Sequence, residues 1–411
     1  MATPEPRVAT PTEAVPDSPI PGISRPVFVL SLVSFLTDIS SEMIYPLVPL
    51  FLTSVLGAPL AAVGLIEGVA ESTASVLKTV SGWLSDRLGM RKPLVVAGYA
   101  LSGLAKPLMA AAYVWPAALG VRFLDRAGKG IRTAPRDAII ADATPERHRG
   151  RAFGFHRGMD TAGAVIGPAI GLGLLALLDQ DFRLVFLIAG LPALGGVALL
   201  WVLPERRPIA ASADIPARVP LRELGRPFFV FLAVMLVFAV GNSSDAFLIL
   251  RSKDLGLSNT ATVGAYVLYN TIYALGSAPA GVASDRLGAR PVITAGLGVF
   301  ALVYLGFGLA SGGALVWPLF AVYGVYMALT DGVAKALISN VVPARERATA
   351  IGIYTGATGA MILLSSVLAG ALWDLIDPSA PFLLGGVTAL AALVLLVALL
   401  PRDAGVRRNG I

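Results

Sequence analysis

Cysteine is absent from this chain of 411 residues, and histidine occurs only twice, at His148 and His156. The first absence excludes disulfides, thiolate catalysis and Cys-ligated metal. The second leaves too few imidazoles for a histidine-rich metal site, so no metal or other cofactor is expected. Charge is also sparse: Asp, Glu, Lys and Arg make up 14% of the residues. A soluble protein of this length needs more polar surface than that. Apolar residues fill the gap, with 56% of the chain hydrophobic and a mean hydropathy of +0.76. Apolar stretches of about 20 residues recur, the length a bilayer demands of a spanning helix. They do not alternate with polar residues as barrel strands do. The class read from this pattern is an all-α integral membrane protein, with the lipid bilayer as a partner.

The net charge of +6 would suggest nucleic acid in a soluble protein. In a membrane protein, basic residues collect in cytoplasmic loops and fix orientation, so no nucleic-acid partner is expected. Residues 1–26 are rich in Pro, Ala and Thr and lack the apolar core of a signal peptide. They read as a disordered cytoplasmic tail.

Loop signals cut the rest into twelve helix-length pieces: 27–55, 61–84, 92–113, 116–142, 148–178, 182–203, 227–251, 261–283, 290–311, 314–341, 346–374 and 380–401. A Pro-rich, basic connection over 204–226 separates a bundle at 27–203 from a second at 227–401, and 402–411 form a further tail. Basic residues recur in alternate connections, from Arg87, Arg91 and Lys92 through Arg147, Arg149 and Arg151 to Arg286 and Arg290. The intervening connections carry almost none, apart from Arg251 and Lys253. By the positive-inside bias, both termini and the central linker are cytoplasmic, and the expected location is a cell inner membrane.

The two halves resemble each other. "SDRLG" occurs at 85–89 and again at 284–288, and "TPERHRGRAFGF" at 144–155 matches "VPARERATAIGI" at 342–353. Six spans separate the copies, as expected if one six-helix unit was duplicated. The connection after the second span reads G-x-x-x-D-R-x-G-x-R-K, with Gly82, Asp86, Arg87, Gly89, Arg91 and Lys92. Its repeat supplies Gly281, Asp285, Arg286, Gly288 and Arg290, with Pro291 in place of the last base. Glycines permit a tight turn and close helix approach, and a carboxylate can accept hydrogen bonds from a helix N-terminus. In the fifth span, "GAVIGPAIG" sets Gly163, Gly167 and Gly171 on one face, with Pro168 to bend the helix.

These motifs resemble those of the major facilitator superfamily of secondary transporters, over nearly the whole chain after residue 26. The resemblance implies twelve transmembrane helices in two pseudo-symmetric six-helix bundles. It also implies that the loop after the second span latches the cytoplasmic side during alternating access. The fifth-span motif is similar to the signature of the family's drug/proton antiporters, though with a single final glycine. "RFLD" at 122–125 resembles the family's fourth-span motif, in which Arg122 would be the base associated with proton transfer; Arg126 stands where the family tends to have Gly.

The fourth span is the least apolar. At 100° per residue, Arg122, Asp125, Arg126, Lys129 and Arg136 share a stripe, flanked by Arg132 and Asp137. They extend over about 21 Å of the span. Charges cannot face lipid, so they must face protein or a water-filled cavity. "GKG" within this run lacks the spacing of a phosphate loop. The first span presents Asp38, Ser41, Glu42 and Tyr45 on one face; the second presents Glu67, Glu71 and Lys78. Lys106, His156 and Asp160 add further charge. The second half is sparser, with Asn242, Asp245, Asp331 and Lys335.

Two readings of these charges follow: a structural ion-pair network, or a substrate and proton pathway. Asp38, Glu42, Glu71 and Asp125 are the proton-coupling candidates. Substrate-cavity candidates are Arg122, Arg126, Lys129, Arg136, Tyr45, Glu67, Asp160, Asn242, Asp245, Asp331 and Lys335. Asp142 points off the stripe and reads as structural. The expected function is proton-coupled antiport exporting a small organic compound, by a monomer with no enzyme chemistry. The rival is an organic-anion transporter, working as symporter, exchanger or uniporter, because the fourth span is so basic. A non-transporting sensor or scaffold is disfavoured, since nothing would retain costly interior charge there.

Overall fold

The computed structural model describes residues 23–88, 90–144, 149–203, 224–343 and 346–401. The tails, most of the central linker and Gly89 lie outside the described residues, as does the side chain of Asp86. Fourteen α-helices are present among those described. In the first half they are α1 (Arg25–Ile44), α2 (Leu47–Ser54), α3 (Leu60–Leu88), α4 (Lys92–Ala110), α5 (Trp115–Asp142), α6 (Arg149–Leu177) and α7 (Phe182–Leu199). In the second they are α8 (Gly225–Gly241), α9 (Ala246–Asp254), α10 (Asn259–Leu287), α11 (Ala289–Leu309), α12 (Val316–Val341), α13 (Arg347–Leu375) and α14 (Ala380–Leu399). Because α1 runs into α2 and α8 into α9, the helices form twelve rods.

Helix starts follow local chemistry. Proline sits in the first turn of α1, α4, α5 and α14, where its missing N–H removes no hydrogen bond. In the repeated loop, Gly288 joins α10 to α11 at φ 90°, a left-handed conformation that explains the glycine of that motif. Ten rods are long and apolar enough to cross a membrane. The two that fall short are α5, which carries the charged stripe, and α10, which is rich in Thr, Tyr, Asn and Ser.

The halves repeat one packing plan. In the first, α5 lies against α3 and α4, while α1 lies against α6 and α7. In the second, α12 lies against α10 and α11, while α8 lies against α13 and α14. The halves meet through α3 with α13 and α6 with α10, two contacts related by the same pseudo-symmetry.

The first and seventh spans were expected unbroken over 27–55 and 227–251, and each is interrupted. In the first, Tyr45 and Pro46 separate α1 from α2, because proline lacks the N–H that would continue the ladder. In the seventh, Asn242, Ser243, Ser244 and Asp245 separate α8 from α9. Serines of α13 meet the freed backbone there. The Ser244 N–H donates to Ser366 Oγ at 3.1 Å, and Ser365 Oγ donates to the Asn242 carbonyl at 3.1 Å. Irregular backbone at this depth needs such partners, since lipid offers none.

The halves close on each other at the end remote from the chain termini. A Cβ on Gly64 would lie 2.1 Å from the Ser366 carbonyl, and one on Gly370 would lie 2.4 Å from that of Leu60. Only glycine lets α3 and α13 approach so closely. The Asp374 carboxylate of α13 accepts hydrogen bonds from the N–H groups of Leu60 and Ala61 at 3.3 and 2.8 Å. It thereby caps α3 from the opposite half.

Candidate functional site

A cavity of about 410 Å³ lies between the halves, beside both helix breaks. Its wall includes Tyr45 at the first break, Asn242 and Asp245 at the second, Glu71 of α3, and Asp331 and Lys335 of α12. Lys335 and Thr355 carry it toward the end that bears the termini. Helix interruptions at corresponding positions of a repeated membrane fold mark a substrate site, because they turn backbone and polar side chains toward the centre.

The charged face of α5 points into the first half, as expected, and most of its charges are paired. Arg122 grips Glu67 of α3 through three hydrogen bonds of 2.7 to 3.1 Å. Both side chains are buried, at 2% and 1% exposure. Arg126 meets Glu71 at 3.0 Å. Asp125 takes Lys106 of α4 at 2.6 Å and has Arg122 at 3.7 Å. Lys106 is wholly buried and also donates to the carbonyl and hydroxyl of Ser102, both at 2.9 Å. Arg136 bonds Asp137 at 2.9 Å and Ser34 of α1 at 3.0 Å. Arg132 lies 4.5 Å over the ring of Tyr99. Lys129 makes no ion pair within 4 Å among the described residues.

Glycines make this arrangement possible. A Cβ on Gly128 would fall 2.5 Å from the Gly98 carbonyl, and one on Gly130 would fall 2.7 Å from Leu77 Cβ. These glycines bring α4 and α3 close enough for Lys106 and Glu67 to reach α5. Sequence reasoning passed over them as parts of a rejected phosphate loop.

On α1 the carboxylates are differently placed. Asp38 and Glu42 have no hydrogen-bond or ion-pair partner within 4 Å among the described residues. They line a narrow polar crevice with Ser41, Lys129 and Arg132, closed on the cavity side by Tyr45. The glycine motif of α6 is what packs against this segment. A Cβ on Gly163 would lie 2.9 Å from Asp38 Cβ, and one on Gly167 would lie 2.9 Å from Glu42 Cβ. Gly171 meets the Met43 carbonyl in the same way, at 2.3 Å, and Pro168 lies inside the helix between these contacts. Further toward the termini, buried His156 hydrogen-bonds Ser31 at 3.3 Å and faces Asp160 at 3.7 Å.

Tyr45 joins crevice and cavity. The guanidinium groups of Arg122 and Arg126 lie 5.9 and 5.8 Å from its ring centre. On the other side, Tyr266 of α10 stacks on it at 5.7 Å.

The second half has aromatic rings where the first has ions. Tyr269, Phe300, Tyr304, Tyr323 and Tyr326 form one cluster, with Phe300 and Tyr304 centred 3.9 Å apart. Asp245 lies at its edge, with Tyr323 donating at 2.6 Å and Tyr269 at 3.4 Å. Asp331 accepts from Tyr273 at 2.8 Å, pairs with Lys335 at 3.3 Å, and meets Arg157 of α6 at 3.6 Å across the halves.

Of the residues expected at the cavity, Tyr45, Asn242, Asp245, Asp331 and Lys335 line it, and Glu71 joins them. Arg122, Arg126 and Lys129 line the crevice instead. Glu67, Arg136 and Asp160 line neither: Glu67 is held by Arg122, Arg136 by Asp137 and Ser34, and Asp160 faces His156. Tyr323, Tyr326, Tyr354 and Phe238 were missed as wall residues. A signal existed, since Tyr323 and Tyr326 recur at i, i+3 on one helix face.

In the loop motif, Arg91 forms an ion pair with Asp142 and donates to the Ala138 carbonyl at 3.3 Å. Lys92 donates to the Leu203 carbonyl, and Arg87 sits 5.2 Å over Trp83. These bonds tie α4 to the ends of α5 and α7. A Cβ on Gly82 would lie 3.2 Å from Ala134 Cβ of α5. In the repeat, Asp285 and Arg286 are exposed.

The family model for the Major Facilitator Superfamily matches residues 30–269 and 230–410. A relative from Methanocaldococcus jannaschii, an uncharacterised MFS-type transporter, is 36% identical over 381 residues, 91% of this chain and 95% of that protein. The class G tetracycline resistance protein of Vibrio anguillarum is 29% identical over 304 residues, 69% of this chain and 73% of that one. Among solved structures, a mutant of the nucleoside transporter NupG shares the fold with a TM-score of 0.77 at 14% identity, covering 91% of this chain and 99% of that one. Repeated halves, paired helix breaks around one cavity and these matches lead to one assignment: the chain belongs to the Major Facilitator Superfamily of membrane transporters.

Proposed function

We propose that the protein is a secondary active transporter that exports a small organic compound in exchange for protons. The observation that carries this reading is the pair Asp38 and Glu42. Among the acidic side chains of α1, α3 and α5 that face the bundle, Glu67, Glu71, Asp125 and Asp137 each hold a cation within 4 Å. Asp38 and Glu42 do not, and they face a polar crevice. A carboxylate bound to a fixed cation stays ionised, whereas an unpaired one beside a crevice can take up and release a proton. We therefore assign proton exchange to Asp38 and Glu42, and a structural role to Glu71 and Asp125. Tyr45, at the helix break, would pass the change of charge to the cavity.

Residues 27–203 and 227–401 would act as the two rocking units, with 204–226 as their connection. The recurrent basic loops support cytoplasmic termini in a cell inner membrane. In that orientation the cavity opens to the cytoplasm, and the contacts between α3 and α13 seal the outside. The loop bases would latch the cytoplasmic side in the opposite state, and here they hold onto the first half. The similarity to a tetracycline resistance protein supports export. The organic-anion reading draws on the α5 stripe, but Arg122, Arg126 and Arg136 already contact carboxylates, which leaves it only Lys129 and Arg132 in the crevice.

The test is flux through proteoliposomes under an imposed pH gradient. The wild type should drive its compound against the direction of proton flow. Asp38→Asn and Glu42→Gln should lose the response to the gradient, while a full response in both would remove the assignment.

A further inference from the structure

Asp38 and Glu42 sit partway along the first bundle, and a proton released there still has to reach the end that bears the termini. Two buried titratable groups with no role so far lie on that route. α1 and α6 run side by side, with Gly163 against Asp38 and His156 against Ser31. Asp160 falls between these contacts on α6, about one helical turn from His156 and from Gly163.

The hydrogen bonds decide which imidazole nitrogen carries a hydrogen. Ser31 Oγ donates its one proton to the Val27 carbonyl at 2.8 Å, so toward His156 it can only accept. Nδ1 therefore bears a hydrogen and donates it to Ser31 at 3.3 Å. The other nitrogen, Nε2, is buried without a hydrogen-bond partner among the described residues, and so is Asp160 Oδ1. These two atoms face each other at 3.7 Å. Nε2 of a neutral imidazole is an acceptor, and a carboxylate offers acceptors alone. Both are left unpaired in a buried place, which is costly. One added proton satisfies both, either as imidazolium beside carboxylate or as carboxylic acid beside imidazole. The neighbouring bases do not substitute for it. Arg136 of α5 already bonds Asp137, and Arg157 of α6 reaches Asp331 in the other half. The remaining charge facing the pair is Asp38 of α1.

We propose that His156 and Asp160 form a shared-proton site that relays protons between Asp38 and the end bearing the termini. Asp38 in its acid form gives its proton to the Asp160 carboxylate, directly or through one water, and is left as a carboxylate. The new Asp160 hydroxyl then bridges to His156 Nε2. The proton leaves to water from Asp160, whose side chain is 14% exposed against 4% for His156, and the pair is empty again. The proposal rests on the proton-exchange reading of Asp38 and Glu42 and names the groups that pass the proton on.

The test counts protons taken up by the purified full chain in detergent micelles as the pH is lowered from about 9 to about 5, a range that spans histidine titration. His156→Gln and Asp160→Asn should each take up one proton fewer than the wild type, because the new amide N–H fills the gap without a proton. The double variant should also take up only one fewer, since the proton is shared. A loss of two in the double variant, or no loss in any of the three, overturns the proposal. The uptake that Asp38→Asn abolishes should slow at least tenfold by stopped flow in either single variant, and an unchanged rate overturns the relay. A measurement without pair variants guards against misfolding. With His148→Gln, His156 is the only histidine, and its nitrogen-15 spectrum at alkaline pH should show the Nδ1–H tautomer. The Nε2–H tautomer overturns the proposal. An unchanged proton count in Asp38→Asn would strike the proton-exchange reading itself, whereas an unchanged count in the pair variants strikes the relay alone.

Discussion

Asp38 and Asp125 look alike in sequence, each a carboxylate on the inner face of a spanning helix, and their surroundings separate them. Asp125 is fixed between Lys106, Ser102 and Arg122. Asn at this position leaves Lys106 as a buried, uncompensated cation, so we expect Asp125→Asn to destabilise the fold by about 3–5 kcal/mol. Asp38→Asn and Glu42→Gln remove no partner, so their thermal midpoints in detergent should stay near the wild type. Melting curves of the three variants check both statements; equal destabilisation of all three would show that Asp38 and Glu42 are also structural. The helical stripe announced that these residues face inward, because period and burial follow from one helix. Which carboxylate is paired was not legible, since Lys106 and Glu67 come from other helices. Their approach depends on Gly98, Gly128 and Gly130, and the spacing of those glycines carries no statement about partners.

At the level of the helix, the glycine motif of α6 acts by what it lets come near. Gly167 lies against the backbone of Ile39 and the Cβ of Glu42, with room for no side chain. Gly167→Leu must push α6 off α1, an overpacking that we expect to cost about 1–3 kcal/mol or more and to lower the folded yield. Comparing it with a substitution at Gly173, where no atom lies within 4 Å of the added Cβ, separates packing from helix propensity. The breaks in the first and seventh rods were only half visible. Pro46 is a plain breaker, but the run of apolar residues around it read as one span. The sequence Asn242-Ser243-Ser244-Asp245 is turn-like, yet whether it unwinds depends on Ser365 and Ser366 supplying hydrogen bonds from α13. Ser366→Ala should cost about 1 kcal/mol through the lost bond to the Ser244 N–H, read as a drop in the detergent melting midpoint. The fold class and the six-plus-six repeat, by contrast, were fully legible, because hydrophobic length and repeated loop motifs are local properties of the chain.

The whole molecule consists of two like halves closed at one end and holding a cavity that reaches toward the other. Asp374 is part of that closure, since it caps α3 from the opposite half. Asp374→Ala removes the cap and should populate the state open at that end. Spin labels at Tyr113 and Leu309, both exposed near that end, would report a longer distance population in the variant; an unchanged distribution would remove Asp374 from the closure. The absence of native cysteine makes such labelling specific. In the proposed mechanism, proton movement and substrate movement are coupled through Asp38 and Glu42. Two assays on the double variant Asp38→Asn, Glu42→Gln test it most directly. One is substrate counterflow without a gradient, and the other is accumulation driven by a pH gradient. Counterflow should persist while gradient-driven accumulation is lost, because the cavity still alternates but no longer exchanges a proton. Accumulation at the wild-type level in that variant would contradict it.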